Sequence, residues 1–146
     1  MIYTIGFTKS TAEHFFERLR SHGVQVVLDV RLKTNSQLAG FAKTPDLEYF
    51  AKHLICAEYV HDEQLAPSEE ILSAYRKKEI DWSEYTERFE ALMAERCIDR
   101  HILHRYSDMD ERTYCLLCSE DSAEYCHRSL LARRMAAWFG TEVVHL

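Results

Sequence analysis

Two thiols, a carboxylate, an imidazole and a guanidinium occur close together in one segment of this chain. The segment runs from Cys118 through Glu120 to Cys126, His127 and Arg128. Packing alone seldom requires this set of groups, because Glu and Arg are rarely buried without a partner. A thiolate is both a nucleophile and a metal ligand, and a helix start or a nearby cation lowers the pKa of a thiol. The segment therefore predicts either thiol chemistry or metal binding.

The same segment is predicted to join a strand to a helix. Cys118 is expected at the last position of the strand, and the capping-box pattern of residues 121–124 predicts that the helix begins within a few residues. Because helix side chains tilt toward the N-terminus, Cys126 and His127 are expected to lean toward Cys118. The helix start and Arg128 favour a thiolate, whereas the acidic residues of the segment oppose one. The sign of the net pKa shift stays open at this point.

The other cysteines have simpler interpretations. Free cysteines are often small buried hydrophobes, and this is the interpretation for Cys56 and Cys115. Cys115 and Cys118 are not a metal knuckle, since residues three apart on a strand point to opposite faces. Five cysteines are an odd number for a fully paired framework, so we expect reduced thiols.

Strand and helix patterns alternate along the chain. The strand patterns cover residues 2–6, 24–30, 57–61, 113–118 and 142–145. The helix patterns cover residues 11–22, 45–54, 68–100 and 122–139, and residues 32–44 are predicted to form a long loop. This alternation predicts one α/β domain over residues 1–146, with three layers, a mainly parallel sheet and helices on both faces.

Ligands of open parallel sheets bind beyond the carboxyl ends of the strands. Three further segments are predicted to bring polar residues to that edge: Gly6 and Thr8, Asp29 and Arg31, and His61 and Asp62. Asp29 and Arg31 share a face of their strand, either as a buried ion pair or as ligand-binding groups. Gly6 and Thr8 can offer backbone and hydroxyl groups to an anion. His61 is a candidate acid, base or ligand.

Composition narrows the class of partner. The chain has 146 residues, is 47% hydrophobic, and carries 18 basic against 24 acidic residues, a formal net charge of -6. This balance disfavours general binding to nucleic acids or anionic membranes. The chain contains neither a signal-peptide pattern nor an apolar run long enough to cross a bilayer. We expect a cytoplasmic protein with a small-molecule substrate, and the sequence does not identify a cofactor or an oligomeric state.

Five motifs of the chain are similar to those of a known family. They are Tyr3–Gly6, Asp29–Arg31, Tyr59–His61, Leu116–Glu120 and Cys126–Arg128. Together they resemble the domain-of-unknown-function 488 family over essentially the whole chain. The family has no assigned function, so the resemblance implies a site at these motifs rather than a reaction.

A looser resemblance concerns the order of two segments. Rhodanese-like sulfurtransferases and phosphatases run from an Asp-Val-Arg strand end to a strand that ends in a catalytic cysteine. Asp29-Val30-Arg31 and Cys118 match that order. The loop after Cys118 is acidic and has no glycine, unlike the anion cradle of those proteins, so this likeness is an analogy of architecture.

The leading hypothesis is a thiol-dependent enzyme that acts on a small anionic substrate at a strand-edge pocket built on Cys118 and Cys126. Cys118 is the expected nucleophile or redox thiol, Cys126 a resolving or supporting thiol, and Glu120 or His127 the group that handles protons. The substrate is expected to contact five other residues: Gly6, Thr8, Asp29, Arg31 and Arg128.

Two alternative functions belong to other classes of protein. In the first, Cys118 and Cys126 hold a metal or a haem iron together with His61 or His127. In the second, the loop Arg31–Lys43 recognises a nucleotide or a nucleic-acid end, an interpretation that the acidic net charge weakens.

Overall fold

The computed structural model describes residues 1–35 and 39–146, which contain a five-stranded parallel sheet. Its strands are β1 (Ile2–Gly6), β2 (Val26–Asp29), β3 (Glu58–His61), β4 (Tyr114–Cys118) and β5 (Val143–His145). Their order is β3-β2-β4-β1-β5, and every pairing is parallel. The predicted α/β architecture is confirmed.

Helices connect successive strands. They are α1 (Ala12–Ser21), α2 (Asp46–Ile55), α3 (Glu69–Arg76), α4 (Trp82–Glu95), α5 (Ile98–Arg105) and α6 (His127–Phe139). The helical stretch predicted over 68–100 is divided into α3, α4 and α5, and Asp81 caps α4 by accepting a hydrogen bond from the backbone of Glu84. One short 3-10 helix lies between β2 and α2, at Gly40–Ala42, and another lies between β3 and α3, at Glu63–Leu65. Within the described residues, every helix is too short or too polar to cross a bilayer.

The sheet separates two hydrophobic cores because consecutive side chains of a strand point to opposite faces. Leu28 and Cys118 belong to the core formed with α3 to α6. Val27 and Cys115 belong to the core formed with α1 and α2. Cys115 and Cys118 therefore lie on opposite sides of the sheet, as their spacing predicts.

The central strand β4 creates a crevice at the carboxyl edge. It pairs with both β1 and β2, and Gly6 and Leu117 are in register with Cys118 and Asp29, respectively. The helix α6 that follows β4 packs on the face opposite α1 and α2. Chain segments leaving β2 and β4 thus diverge to opposite faces, which is the arrangement that opens a ligand site in parallel sheets.

The predicted start of the last helix is wrong. Residues 119–126 form a loop, called here the 119–126 loop, and α6 begins only at His127. The side chains read as a capping box form local turns instead, since Asp121 accepts from the backbone of Ser122 and the Ser122 hydroxyl accepts from the backbone of Glu124. Tyr125 has a φ of 54°, which ends any helical path before Cys126.

Candidate thiol site

Three side chains converge where β4 meets α6. The sulfurs of Cys118 and Cys126 and the Nδ1 atom of His127 all lie within 4.8 Å of one another, and all three residues are buried. Cys118 is the last residue of β4, Cys126 is the N-cap of α6, and His127 is its first residue. The expected approach of Cys126 and His127 to Cys118 is present, although a loop rather than a helical turn produces it.

Hydrogen bonding fixes the orientation of the His127 ring. Its Nε2 atom lies 2.8 Å from the carbonyl oxygen of Val30. Because a carbonyl only accepts, Nε2 donates, and Nδ1 of the neutral ring carries a lone pair. That lone pair lies 3.9 Å from the sulfur of Cys118. His127 therefore presents an acceptor or a ligand atom to the thiols.

Arg128 binds the 119–126 loop and also contacts one of the two thiols. It is 1% exposed, and its Nη1 atom donates to the carbonyl oxygen of Glu120 at 2.6 Å and lies 3.5 Å from the sulfur of Cys126. Nη2 donates to the carbonyl oxygen of Asp121, and Nε to the hydroxyl of Thr4. Among the described residues, no carboxylate forms an ion pair with this guanidinium.

The two thiols differ in acidity. The neighbouring Cys118 thiol, supported by the Arg128 cation, holds the pKa of the Cys126 thiol well below its ordinary value. The same interaction between the two thiols, together with burial, raises the pKa of Cys118 well above its ordinary value. The two thiols titrate as a coupled pair, and these directions favour Cys126 as the thiol that ionises first.

The two sulfurs line an open cavity of about 320 Å³. Its other walls come from the segment after β2, from the facing helices α3 and α4, and from the 119–126 loop, through Arg31, Tyr75, Tyr85 and Glu120. Glu120 is exposed. Burial raises the pKa of Tyr85, so its hydroxyl remains a neutral hydrogen-bond donor.

Arg31 contributes a buried cation to this cavity. Its Nε and Nη2 atoms form a bidentate pair with the Asp29 carboxylate at 2.9 and 2.7 Å, and Nη2 also donates to the carbonyl oxygen of Ala42. The residue is 3% exposed. Its Nη1 atom is buried and has no hydrogen-bond partner among the described residues. Such an unpaired donor is costly unless a ligand accepts from it.

Asp29 and His61 support Arg31 rather than line the cavity. Asp29 is fully buried and also accepts from the hydroxyl of Tyr59 at 2.6 Å. His61 donates from Nε2 to the carbonyl oxygen of Arg31 at 2.7 Å. His61 therefore lies outside the thiol cluster, and the structure brings His127 rather than His61 to the two sulfurs.

Gly6 and Thr8 position the 119–126 loop. The backbone of Thr8 and its hydroxyl both donate to the carbonyl oxygen of Ser119, at 3.1 and 2.9 Å. The carbonyl group of Glu120 occupies the space next to Gly6 that a Cβ would fill. Like Asp29 and Arg128, these two residues contact other parts of the protein and do not line the cavity.

Tyr75 and Tyr85 line the cavity, but the sequence predicted only that they lie in the helical stretch 68–100. Their rings lie 4.9 Å apart between centroids. Their hydroxyl groups are the sequence signal, because Tyr combines an apolar ring with a polar end that needs a hydrogen-bond partner when it is buried. The nucleotide-binding alternative rests on the loop Arg31–Lys43, of which residues 36–38 lie outside the described residues.

Comparison with known proteins gives one match. Residues 11–135 match the family model described as "Domain of unknown function DUF488". No curated protein and no solved structure matches the chain. The matched region contains the motifs that end β2, β3 and β4 and the motif that begins α6. Because the match spans most of the chain, this protein belongs to the DUF488 family.

Proposed function

We propose that this protein is a thiol-dependent enzyme that acts on a small anionic substrate, with Cys126 as the nucleophile. The contact of buried Arg128 with the sulfur of Cys126 carries the proposal. A buried guanidinium without a counter-charge is costly, and the other partners of Arg128 are neutral oxygens. A thiolate at Cys126 supplies the missing charge.

This assignment exchanges the roles that the sequence suggested for the two cysteines. Cys126 attacks an electrophilic atom of the substrate and forms the new sulfur bond, while the leaving group departs with its electron pair. Cys118 gives its thiol proton to that leaving group and becomes a thiolate. Nδ1 of His127, 3.9 Å from the sulfur of Cys118, is placed to pass a replacement proton from solvent to that thiolate. Exposed Glu120 exchanges protons with solvent at the cavity wall.

The anionic character of the substrate follows from Arg31. Arg31 lines the cavity, and its Nη1 donor is buried and has no hydrogen-bond partner among the residues described. Asp29 neutralises the charge of Arg31 but engages the other two guanidinium nitrogens. A carboxylate or phosphate oxygen of the substrate would complete the hydrogen bonding of this guanidinium.

Alkylation mapping of reduced, metal-free protein tests the proposal. Limiting iodoacetamide is added at neutral pH, and the modified cysteines are identified by peptide mass spectrometry. We expect Cys126 to react faster than Cys118, and faster than its low exposure alone would allow. The exposed Cys56 and Cys97 give the reference rate, and Cys115, buried on the other side of the sheet, gives the unreactive baseline.

Two outcomes contradict the proposal. Faster modification of Cys118 than of Cys126 would restore the sequence-based assignment of the nucleophile. Modification of neither residue in the folded protein, with Cys56 and Cys97 labelled normally, would exclude an activated thiol in this cavity. A Cys118→Ser variant keeps a hydroxyl donor next to Cys126 and is expected to retain Cys126 labelling.

A further inference from the structure

We infer that Cys118, Cys126 and His127 form a binding site for one Zn²⁺ ion, with the fourth coordination position directed to the cavity. The inference uses the side chains of the proposed function but does not depend on its chemistry. Two thiolates and an imidazole are a donor set that Zn²⁺ favours, and three protein ligands with one open position are typical of accessible zinc sites. The bound ion and the free nucleophile are alternative states of one site.

The spacing of the donor atoms suits a tetrahedral ion. Zinc–sulfur and zinc–nitrogen bonds of about 2.3 and 2.0 Å imply donor separations of roughly 3.5 to 3.8 Å. The sulfur of Cys118 lies 3.9 Å from Nδ1 of His127, and no pair of the three atoms exceeds 4.8 Å. Rotation of the three side chains can shorten these donor separations by less than about 1.5 Å, which is enough to reach tetrahedral spacing without moving the backbone.

Groups around the donors already have the orientation that a metal site requires. Histidine ligands commonly donate their second ring nitrogen to a carbonyl or carboxylate, which aims the first nitrogen at the ion. Nε2 of His127 donates to the carbonyl oxygen of Val30 in this way. Arg128 donates to the sulfur of Cys126, as hydrogen-bond donors to metal-bound thiolates do.

The remaining coordination position has no protein ligand among the described residues. The cluster contains three donors, and the cavity that its two sulfurs line opens beside them. Water or an anion held by Nη1 of Arg31 can therefore occupy that position. Because the ion engages both sulfurs, its binding would block nucleophilic attack by Cys126 and protect both thiols from oxidation.

Zinc protection of the wild-type protein provides the first test. Reduced, chelator-treated protein receives equimolar Zn²⁺ and is then alkylated and mapped. We expect zinc to abolish labelling of Cys126 and of Cys118, to leave Cys56 and Cys97 labelled, and to release the cysteines again when a chelator is added. Protection of Cys56 and Cys97 instead would overturn the inference.

Cobalt substitution provides the second test. Co²⁺ bound by two thiolates is expected to give sulfur-to-cobalt charge-transfer absorption at one ion per chain. Cys126→Ala and His127→Gln are expected to weaken binding at least about tenfold, the effect of losing one ligand or its outer contacts. Gln at 127 keeps a donor for Val30 but lacks the Nδ1 ligand. The double variant Cys56→Ser/Cys97→Ser is the matched control and should bind as the wild type does.

These tests separate the two proposals. Alkylation of Cys126 without zinc protection or a cobalt spectrum would refute the zinc site and leave the thiol function standing. Stoichiometric zinc binding combined with an unreactive Cys126 in metal-free protein would refute the thiol function and leave the zinc site standing.

Discussion

Gly6 lies so close to the carbonyl group of Glu120 that a Cβ at Gly6 would overlap that oxygen. The contact joins the end of β1 to the 119–126 loop, and Phe7 and Thr8 strengthen it by donating backbone hydrogen bonds to Ser119. Gly6 does not line the cavity, yet it determines where the loop between Cys118 and Cys126 can run.

Replacing Gly6 with Ala should displace that loop. We expect a loss of about 1–3 kcal/mol in the free energy of unfolding, as for other insertions into tightly packed sites, together with slower alkylation of Cys126. Chemical denaturation and peptide mapping measure the two effects. Gly40→Ala is the control, because an added Cβ there meets no other described atom within 4 Å. Equal effects of the two variants would show that the close contact is unimportant.

Replacing Arg31 with Lys should reduce the preference of the cavity for anions. Lys retains the charge but cannot pair with Asp29 through two nitrogens while offering a third to a ligand. We expect the rate of Cys126 labelling by iodoacetate, relative to neutral iodoacetamide, to fall toward the ratio found at exposed Cys56. An unchanged ratio in a folded variant would contradict the role given to Nη1.

Replacing Arg128 with Met should lower the reactivity of Cys126. A hydrogen bond to a charged group contributes about 1.5–3 kcal/mol, so we expect alkylation of Cys126 at neutral pH to slow by at least about tenfold. Arg133→Met is the control, since Arg133 is exposed on the same helix. If both variants react at the wild-type rate, Arg128 is not the counter-charge of the thiolate.

Stability at acid pH should depend on Asp62. Burial opposes ionisation of this carboxyl group, but hydrogen bonds from Tyr106 and His101 outweigh burial and hold its pKa below the ordinary value. The ionised carboxylate of Asp62 therefore contributes to the free energy of unfolding above about pH 4, the pKa of Asp in the unfolded chain. This contribution disappears as the pH falls through the pKa of Asp62 in the folded protein. Unfolding free energies from pH 7 to pH 3 should decrease less steeply for Asp62→Asn than for the wild type. Asp110→Asn, at an exposed position, should follow the wild-type curve.

The sequence predicted the scaffold of the site because it depends on local patterns. The apolar run that ends at Cys118 indicated a buried strand, and the alternation of Asp29 and Arg31 indicated a shared face. Both features are present in the structure, where the two residues form a bidentate ion pair.

The charge distribution of the site could not be predicted in the same way, because it depends on partners distant in sequence. Arg128 donates hydrogen bonds to the backbone carbonyl oxygens of Glu120 and Asp121 and to the sulfur of Cys126. It does not pair with the side-chain carboxylates of Glu120 and Asp121. Val30, almost a hundred residues away along the chain, orients His127. Neither contact can be inferred from the spacing of residues in the sequence. The sequence therefore could not indicate which of the two thiols ionises first.

The insertion of β4 between β1 and β2 also constrains how the protein folds. These two strands contact β4 and not each other, so β1 and β2 cannot join one sheet before residues 114–118 are present. Contacts of such long sequence separation are slow to form. During synthesis the thiols, Arg31 and Val30 meet only after most of the chain has left the ribosome. A chain that ends before residue 126 therefore lacks the assembled thiol cluster. If Cys126 is the nucleophile, as proposed, its reactivity should appear only once the sheet is complete.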